Sequence, residues 1–255
     1  MSESKARDYY SKEPKQPEFR TYHVGDQKIN FVEQGSDTSR MVLFVHGSPG
    51  SWSAFSDYFK DERLSDYRII SVDRPGFGYS DFGWAEPSLQ KQAEYLKPIL
   101  EMNGNTQKPV LVGHSLGGPV IAKMAMEYPE LTGSLIYLAS SVDPELEPSN
   151  WYRYILKFPL INYLIPTSFR VSNDEILPLK GELEKMLPDW KTIKSPSVVI
   201  HGVKDDLVPV GNADFIAKKS VKSDVELIKL ENTNHFIPWS HKELITRKIL
   251  EQLNN

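Results

Sequence analysis

Cysteine is absent from the 255 residues. That excludes disulfides, thiolate metal sites and a cysteine nucleophile, while leaving the compartment open. No apolar run approaches the roughly 18 residues that a membrane-spanning helix needs. A basic excess is also missing: 30 Lys and Arg stand against 34 Asp and Glu, for a net charge of −4, so nucleic acid is not an expected partner. The N-terminus lacks an apolar signal-peptide core, and a cytoplasmic location is expected. What remains is an ordinary composition, 40% hydrophobic and 25% charged, in a chain long enough to bury a sizeable core.

The chemistry-bearing stretch is Gly113-His114-Ser115-Leu116-Gly117. An apolar run, Pro109–Val112, leads in, and the helix-forming Val120–Met126 leads out. A strand that turns this sharply into a helix needs glycines around the turning residue, because side chains there would clash. The turn holds Ser115 in a strained conformation. The N–H groups and positive dipole end of the new helix face the same spot. A serine hydroxyl is a weak nucleophile unless a base, itself oriented by an acid, takes its proton.

Of the six histidines, His46, His114 and His201 adjoin strand ends and read as structural. His23 lies in an early hairpin, and His241 in the first turn of the last helix. His235 lies on a loop between the last strand and the last helix, at the sheet edge where Ser115 also points. For the acid, Asp205 in Gly202–Pro209 is the leading candidate, with Asp143 the competitor and Asp206 facing away; Asp73 is expected to brace its own Gly/Pro turn. Two backbone donors would complete an oxyanion site: the N–H of Leu116 and that of Ser48, in His46-Gly47-Ser48-Pro49-Gly50, where Pro49 cannot donate.

Along the chain, residues 1–18 are polar and read as a flexible arm. Phe19–Val24 and Lys28–Val32 read as a hairpin around Gly25-Asp26. Ser51 is expected to cap a helix whose apolar positions are Trp52, Phe55 and Phe59. A further helix spans 88–102, shortened or kinked by Pro98. The β/α alternation through 19–141 breaks at 142–190, a stretch rich in proline and aromatics that reads as an inserted lid of short helices. It resumes over 191–255. Ser240 and Glu243 are expected to form a capping box for the last helix, with Trp239 and Leu244 as its staple. The expectation is an α/β fold with a mostly parallel sheet and a site at the carboxyl ends of its strands.

Together, HGSPG at 46–50, DRPGFGYS at 73–80, GHSLGG at 113–118, GVKDDLVP at 202–209 and NHF at 234–236 make the chain resemble an α/β-hydrolase over roughly residues 20–255. The resemblance implies an eight-stranded sheet with a lid inserted after strand six, and the chain order Ser115, Asp205, His235. Family members that open epoxides or displace halide share the DRPGFGYS stretch but carry aspartate at the elbow. Serine here points instead to acyl transfer to water, without cofactor or metal. The expected activity is hydrolysis of a carboxylic ester, thioester or lactone. The alternatives are a carbon–carbon bond hydrolase with the same triad, a cofactor-free oxygenase or peroxide-using enzyme, and a hydrolase-like receptor. Trp151, Tyr154 and Phe158 are expected to line a pocket for a largely apolar acyl group of a small-molecule substrate, in a monomer or homodimer.

Overall fold

One sheet organises the molecule, and its order follows from which strands can tolerate burial on both faces. The strands are β1 (Glu18–Val24), β2 (Gln27–Gln34), β3 (Met41–Val45), β4 (Arg68–Val72), β5 (Val110–His114), β6 (Leu135–Leu138), β7 (Ser197–Gly202) and β8 (Val225–Leu230). They lie in the order β1-β2-β4-β3-β5-β6-β7-β8. This is a computed structural model, and it describes residues 1–148, 152–156 and 158–254. The apolar runs of β3, β4, β5, β6 and β7 are buried at every position, as interior parallel strands covered on both faces must be. β1 and β8 close the edges with mixed burial. β1 and β2 pair antiparallel, as do β2 and β4; the remaining pairs are parallel.

The helices are α1 (Glu3–Tyr9), α2 (Leu89–Glu101), α3 (Gly117–Glu127), α4 (Tyr152–Ile155), α5 (Pro159–Leu164), α6 (Thr167–Met186), α7 (Gly211–Lys219), α8 (Ile237–Ser240) and α9 (Lys242–Asn254). Side chains alternate across a strand, so β3 feeds two cores. Leu43 and Val45 pack with α2, α3, α6 and α7 on one face. Val42 and Phe44 pack with α1, α9 and Trp52, Phe55 and Phe59 on the other. Among the described residues no helix is long and apolar enough to cross a membrane.

Local readings differ from this structure in four places. The stretch expected to be a flexible arm forms α1, with Ser2 accepting from the Lys5 amide, and its Tyr10 is fully buried, donating its hydroxyl to Ser56 O at 2.7 Å. Ser51 makes no capping bond to the Trp52–Lys60 turns; the buried Asp73 carboxylate accepts the Trp52 N–H instead, at 2.7 Å. Ser240 ends α8 rather than opening the last helix, because its hydroxyl donates back to Phe236 O, and α9 starts at Lys242. Between β6 and β7 the helices are not all short: α6 runs for 20 residues, straight through Pro178.

Candidate active site

β5 ends at His114 and α3 starts at Gly117, so the chain reverses over Ser115 and Leu116. Ser115 takes the left-handed conformation, with φ at +53°, which costs an L-residue about 1–2 kcal/mol. It is held there from both ends: its N–H donates to Leu138 O and its carbonyl accepts from the Gly118 N–H, each at 2.9 Å. The flanking glycines are required by proximity. A Cβ on Gly113 would lie 2.5 Å from Gly117 O, and one on Gly117 would run into the Val45 carbonyl. A strained residue over-determined by its surroundings is a mark of a functional site.

His235 follows β8 and Asp205 follows β7, and both are buried. His235 Nδ1–H donates to Asp205 Oδ2 at 2.7 Å, which leaves Nε2 as the basic nitrogen. The other carboxylate oxygen accepts the Leu207 and Val208 amides at 2.9 and 2.8 Å. Burial pushes the Asp205 carboxyl up, but hydrogen bonds from His201, His235 and Val208 outweigh it and hold the group well below the usual carboxylate range. His114 grips the same loop, donating from Nε2 to His235 O at 3.1 Å. Burial, then the neighbouring His235, push its pKa down to about 3, so its ring is neutral.

Asp143, the competing acid, is engaged elsewhere. Its carboxylate caps the turn Pro144–Leu146 by accepting the Glu145 N–H at 3.0 Å. Asp73 braces its turn as expected, accepting the Tyr79 N–H at 3.0 Å, and it also accepts from Asn30 Nδ2 at 2.9 Å.

Ser115, Leu116, Ser48 and His235 line one cavity of about 300 Å³. Its apolar wall comes from Ile176 and Leu179 of α6 with Leu207 and Val208. Ser141, Glu147 and Arg153 make a polar side, and Asp206 also reaches the cavity. The Glu147 carboxyl is pushed up by burial, against the hydrogen bond it accepts from the Ser141 hydroxyl. Among the described residues no group of three or more His, Asp or Glu is arranged to hold a metal ion. A serine and an imidazole oriented by a carboxylate, lining one cavity, are groups that can carry out acyl transfer.

A family model described as the alpha/beta hydrolase fold matches residues 40–170, just over half of the chain. The chain belongs to the α/β-hydrolase family. Its relatives include a 2-hydroxy-6-oxononadienedioate/2-hydroxy-6-oxononatrienedioate hydrolase of Burkholderia vietnamiensis, 24% identical, with 89% of this chain and 91% of that one covered. Among solved structures, MGS-M2, an alpha/beta hydrolase from a Medee basin deep-sea metagenome library, superposes with a TM-score of 0.72 at 18% identity, covering 92% of this chain and 98% of that one. The epoxide hydrolase VrEH1 of Vigna radiata gives 0.70 at 17% identity, covering 93% and 98%.

Not every residue expected at the α/β-hydrolase pocket is there. Tyr154 is 63% exposed and lines a separate shallow cavity with Trp84 and Leu177, and Phe158 is 64% exposed. Trp151 lies outside the described residues. The apolar wall is supplied instead by α6, whose Ile176 and Leu179 are three apart on one helical face. Their spacing was readable in the sequence, but the denser aromatics upstream drew the expectation away. Arg74 and Glu175 form a buried ion pair at 2.8 Å of which the sequence carries no local sign.

Proposed function

We propose that this α/β-hydrolase is a cofactor-independent serine hydrolase acting on carboxylic esters, or on related thioesters or lactones. The observation that carries the reading is the convergence on one cavity of a left-handed Ser115 and a His235 whose Nδ1–H is bonded to Asp205. Ser115 Oγ attacks the acyl carbon while His235 Nε2 takes its proton, and the Ser48 and Leu116 N–H groups hold the resulting oxyanion. His235 returns the proton to the departing alcohol. Water then attacks the acyl-enzyme by the same relay and releases the acid. Ile176 and Leu179 of α6 form the acyl side of the pocket, so the segment between β6 and β7 acts as the specificity lid.

The test is a series of p-nitrophenyl esters of increasing chain length, run beside a fluorophosphonate probe. Multiple turnover, with a single covalent adduct on Ser115, is the expected result. Labelling at another serine, or no turnover of any ester, overturns the reading.

A second reading, hydrolysis of a carbon–carbon bond next to a ketone, is favoured by one comparison. The Burkholderia vietnamiensis relative, matched over most of both chains, is named for oxo-dienedioate substrates. Arg153 on the polar side of the cavity suits a substrate carboxylate. Faster turnover of a 2-hydroxy-6-oxo-dienoate than of any ester in the series selects this reading.

A further inference from the structure

Arg74 is 0% exposed, and all its guanidinium N–H groups are used. Nε donates to His46 O at 2.8 Å and Nη2 to Gly47 O at 3.0 Å. Nη1 donates to Gln92 Oε1 at 2.9 Å and to Glu175 Oε1 at 2.8 Å, and Nη2 also reaches Glu175 Oε2 at 3.1 Å. The backbone N–H of Arg74 donates to His46 Nε2 at 3.0 Å, which puts the ring proton on Nδ1, and that proton goes to Gly47 O at 2.6 Å. The Gly47 carbonyl therefore accepts from two donors that are themselves buried and fixed.

That carbonyl shares a planar trans peptide with the Ser48 N–H. In such a unit the C=O and N–H point in opposite directions. Pinning Gly47 O into the interior aims the Ser48 N–H the other way, toward the cavity that Ser48 and Ser115 line. The pin reaches across the molecule: Gln92 belongs to α2, and Glu175 to α6 of the segment inserted between β6 and β7.

We propose that Arg74 and Glu175 are positioning residues for the oxyanion site. Glu175 orients the Arg74 guanidinium, and Arg74 holds the Gly47–Ser48 peptide so that the Ser48 N–H meets the oxygen of a tetrahedral intermediate. The inserted segment thus completes the catalytic geometry through α6, besides walling the pocket. This inference rests on the serine-hydrolase reading above.

The pair is tested by removing both charges together, since deleting one partner alone strands a buried charge. Arg74→Met with Glu175→Leu is compared with Arg68→Met plus Glu33→Leu, a second buried pair bonded at 2.6 Å at the opposite ends of the strands. Glu175→Gln, which keeps the volume and one acceptor, serves if the first double variant does not fold. For each, kcat and KM are measured on a p-nitrophenyl ester, together with the inhibition constant of a trifluoromethyl ketone. That ketone adds to the serine and places an oxyanion in the site.

Loss of one oxyanion donor is expected to lower kcat by about 10²–10³ with KM little changed. Ketone affinity should fall in parallel, and Glu175→Gln should lose a smaller part of both. The Arg68/Glu33 double variant should change melting temperature but neither kcat nor ketone affinity. Unchanged kcat and ketone affinity in a folded Arg74/Glu175 double variant, or in Glu175→Gln where the double variant does not fold, overturns the proposal while Ser115-dependent turnover in the parent keeps the hydrolase reading. Ester turnover that survives Ser115→Ala overturns the reading itself, and the proposal with it.

Discussion

On the sheet side of the cavity, Ser115, Asp205 and His235 stand on the loops directly following β5, β7 and β8, and Asp205 and His235 are buried. On the other side, α4 and α5 present Tyr154, Ile155, Ile161, Tyr163 and Leu164 to solvent, while α6 sinks a row of side chains, Val171, Leu179, Leu183 and Met186, into the body of the molecule. The first region is held by backbone hydrogen bonds to adjacent strands and by close packing of glycines. Among the described residues, the second is held through α6, by its apolar face, by the buried Arg74–Glu175 pair and by hydrogen bonds from α2 to Glu175 and Glu182. Elements with few buried contacts open at lower free energy than core strands. The difference teaches that the reacting groups stand on the rigid part of the fold, and that the outer helices α4 and α5 can vary without disturbing them, whereas α6 is tied to the sheet side through Glu175 and Arg74.

The sharpest way to break the comparison is to remove the nucleophile. Ser115→Ala should lower kcat by about 10⁶. It should leave stability nearly unchanged, since alanine meets the same left-handed strain of about 1–2 kcal/mol at φ +53°. Steady-state kinetics and urea unfolding on the same preparation check both. A variant with activity intact would move the chemistry away from the sheet edge.

The next effect is smaller. Asp205→Asn should lower kcat by about 10⁴ by favouring the wrong imidazole tautomer, whereas Asp143→Asn should be nearly silent, because Asp143 caps a turn and the His235 Nδ1–H is bonded to Asp205. If the two variants exchanged these results, the acid would belong to the loop after β6, on the variable side.

How much of this was legible in the sequence follows the same division. Gly113, Ser115 and Gly117 could be read because close backbone approach admits no other residue at the flanks, and the sheet edge then located Asp205 and His235. The Arg74–Glu175 pair could not, since its partners are far apart in sequence and nothing local marks either as buried. The outer aromatics misled for a related reason: composition tells how apolar a helix is, not which face it turns inward. Tyr154 and Phe158 face out. The helical N-terminus failed differently. Ser2 caps α1 by accepting the Lys5 N–H, and Ala6 is buried, but a lone serine ahead of a polar stretch does not set such a helix apart from an arm.

Buried imidazoles give a pH test of the sheet side. His114 and His46 are both pushed down by burial, His46 also by the Arg74 cation, and His114 to about 3. Between that value and about 6.5 the unfolded chain binds a proton that folded His114 refuses, so stability is full above about pH 6.5 and is lost as pH falls. From pH 7 to 5 this should cost about 2 kcal/mol for His114 alone. His114→Gln, which does not titrate, should lose correspondingly less stability over that interval in urea unfolding. Equal losses in parent and variant would mean that His114 takes up a proton in the folded state.

The smallest effect sharpens the comparison from the variable side, and it concerns acyl-chain length. The cavity, about 300 Å³, lies at the lower end of the about 300–1,000 Å³ usual for ligand sites, so a rise with chain length should stop at short to medium acyl groups. Each buried methylene contributes about 0.8 kcal/mol, and two should raise kcat/KM about tenfold until the pocket is full. Leu179→Ala removes part of the apolar wall and should flatten that rise to a few-fold, acting mainly through KM, because Leu179 lines the cavity with an apolar side chain that can neither move a proton nor donate to an oxyanion. Phe158→Ala should leave the profile unchanged, since Phe158 faces solvent. Measured from acetyl to decanoyl esters, a profile altered by Phe158→Ala and not by Leu179→Ala would mean that the outer helices fold down over the substrate, and that the wall seen on α6 is core packing alone.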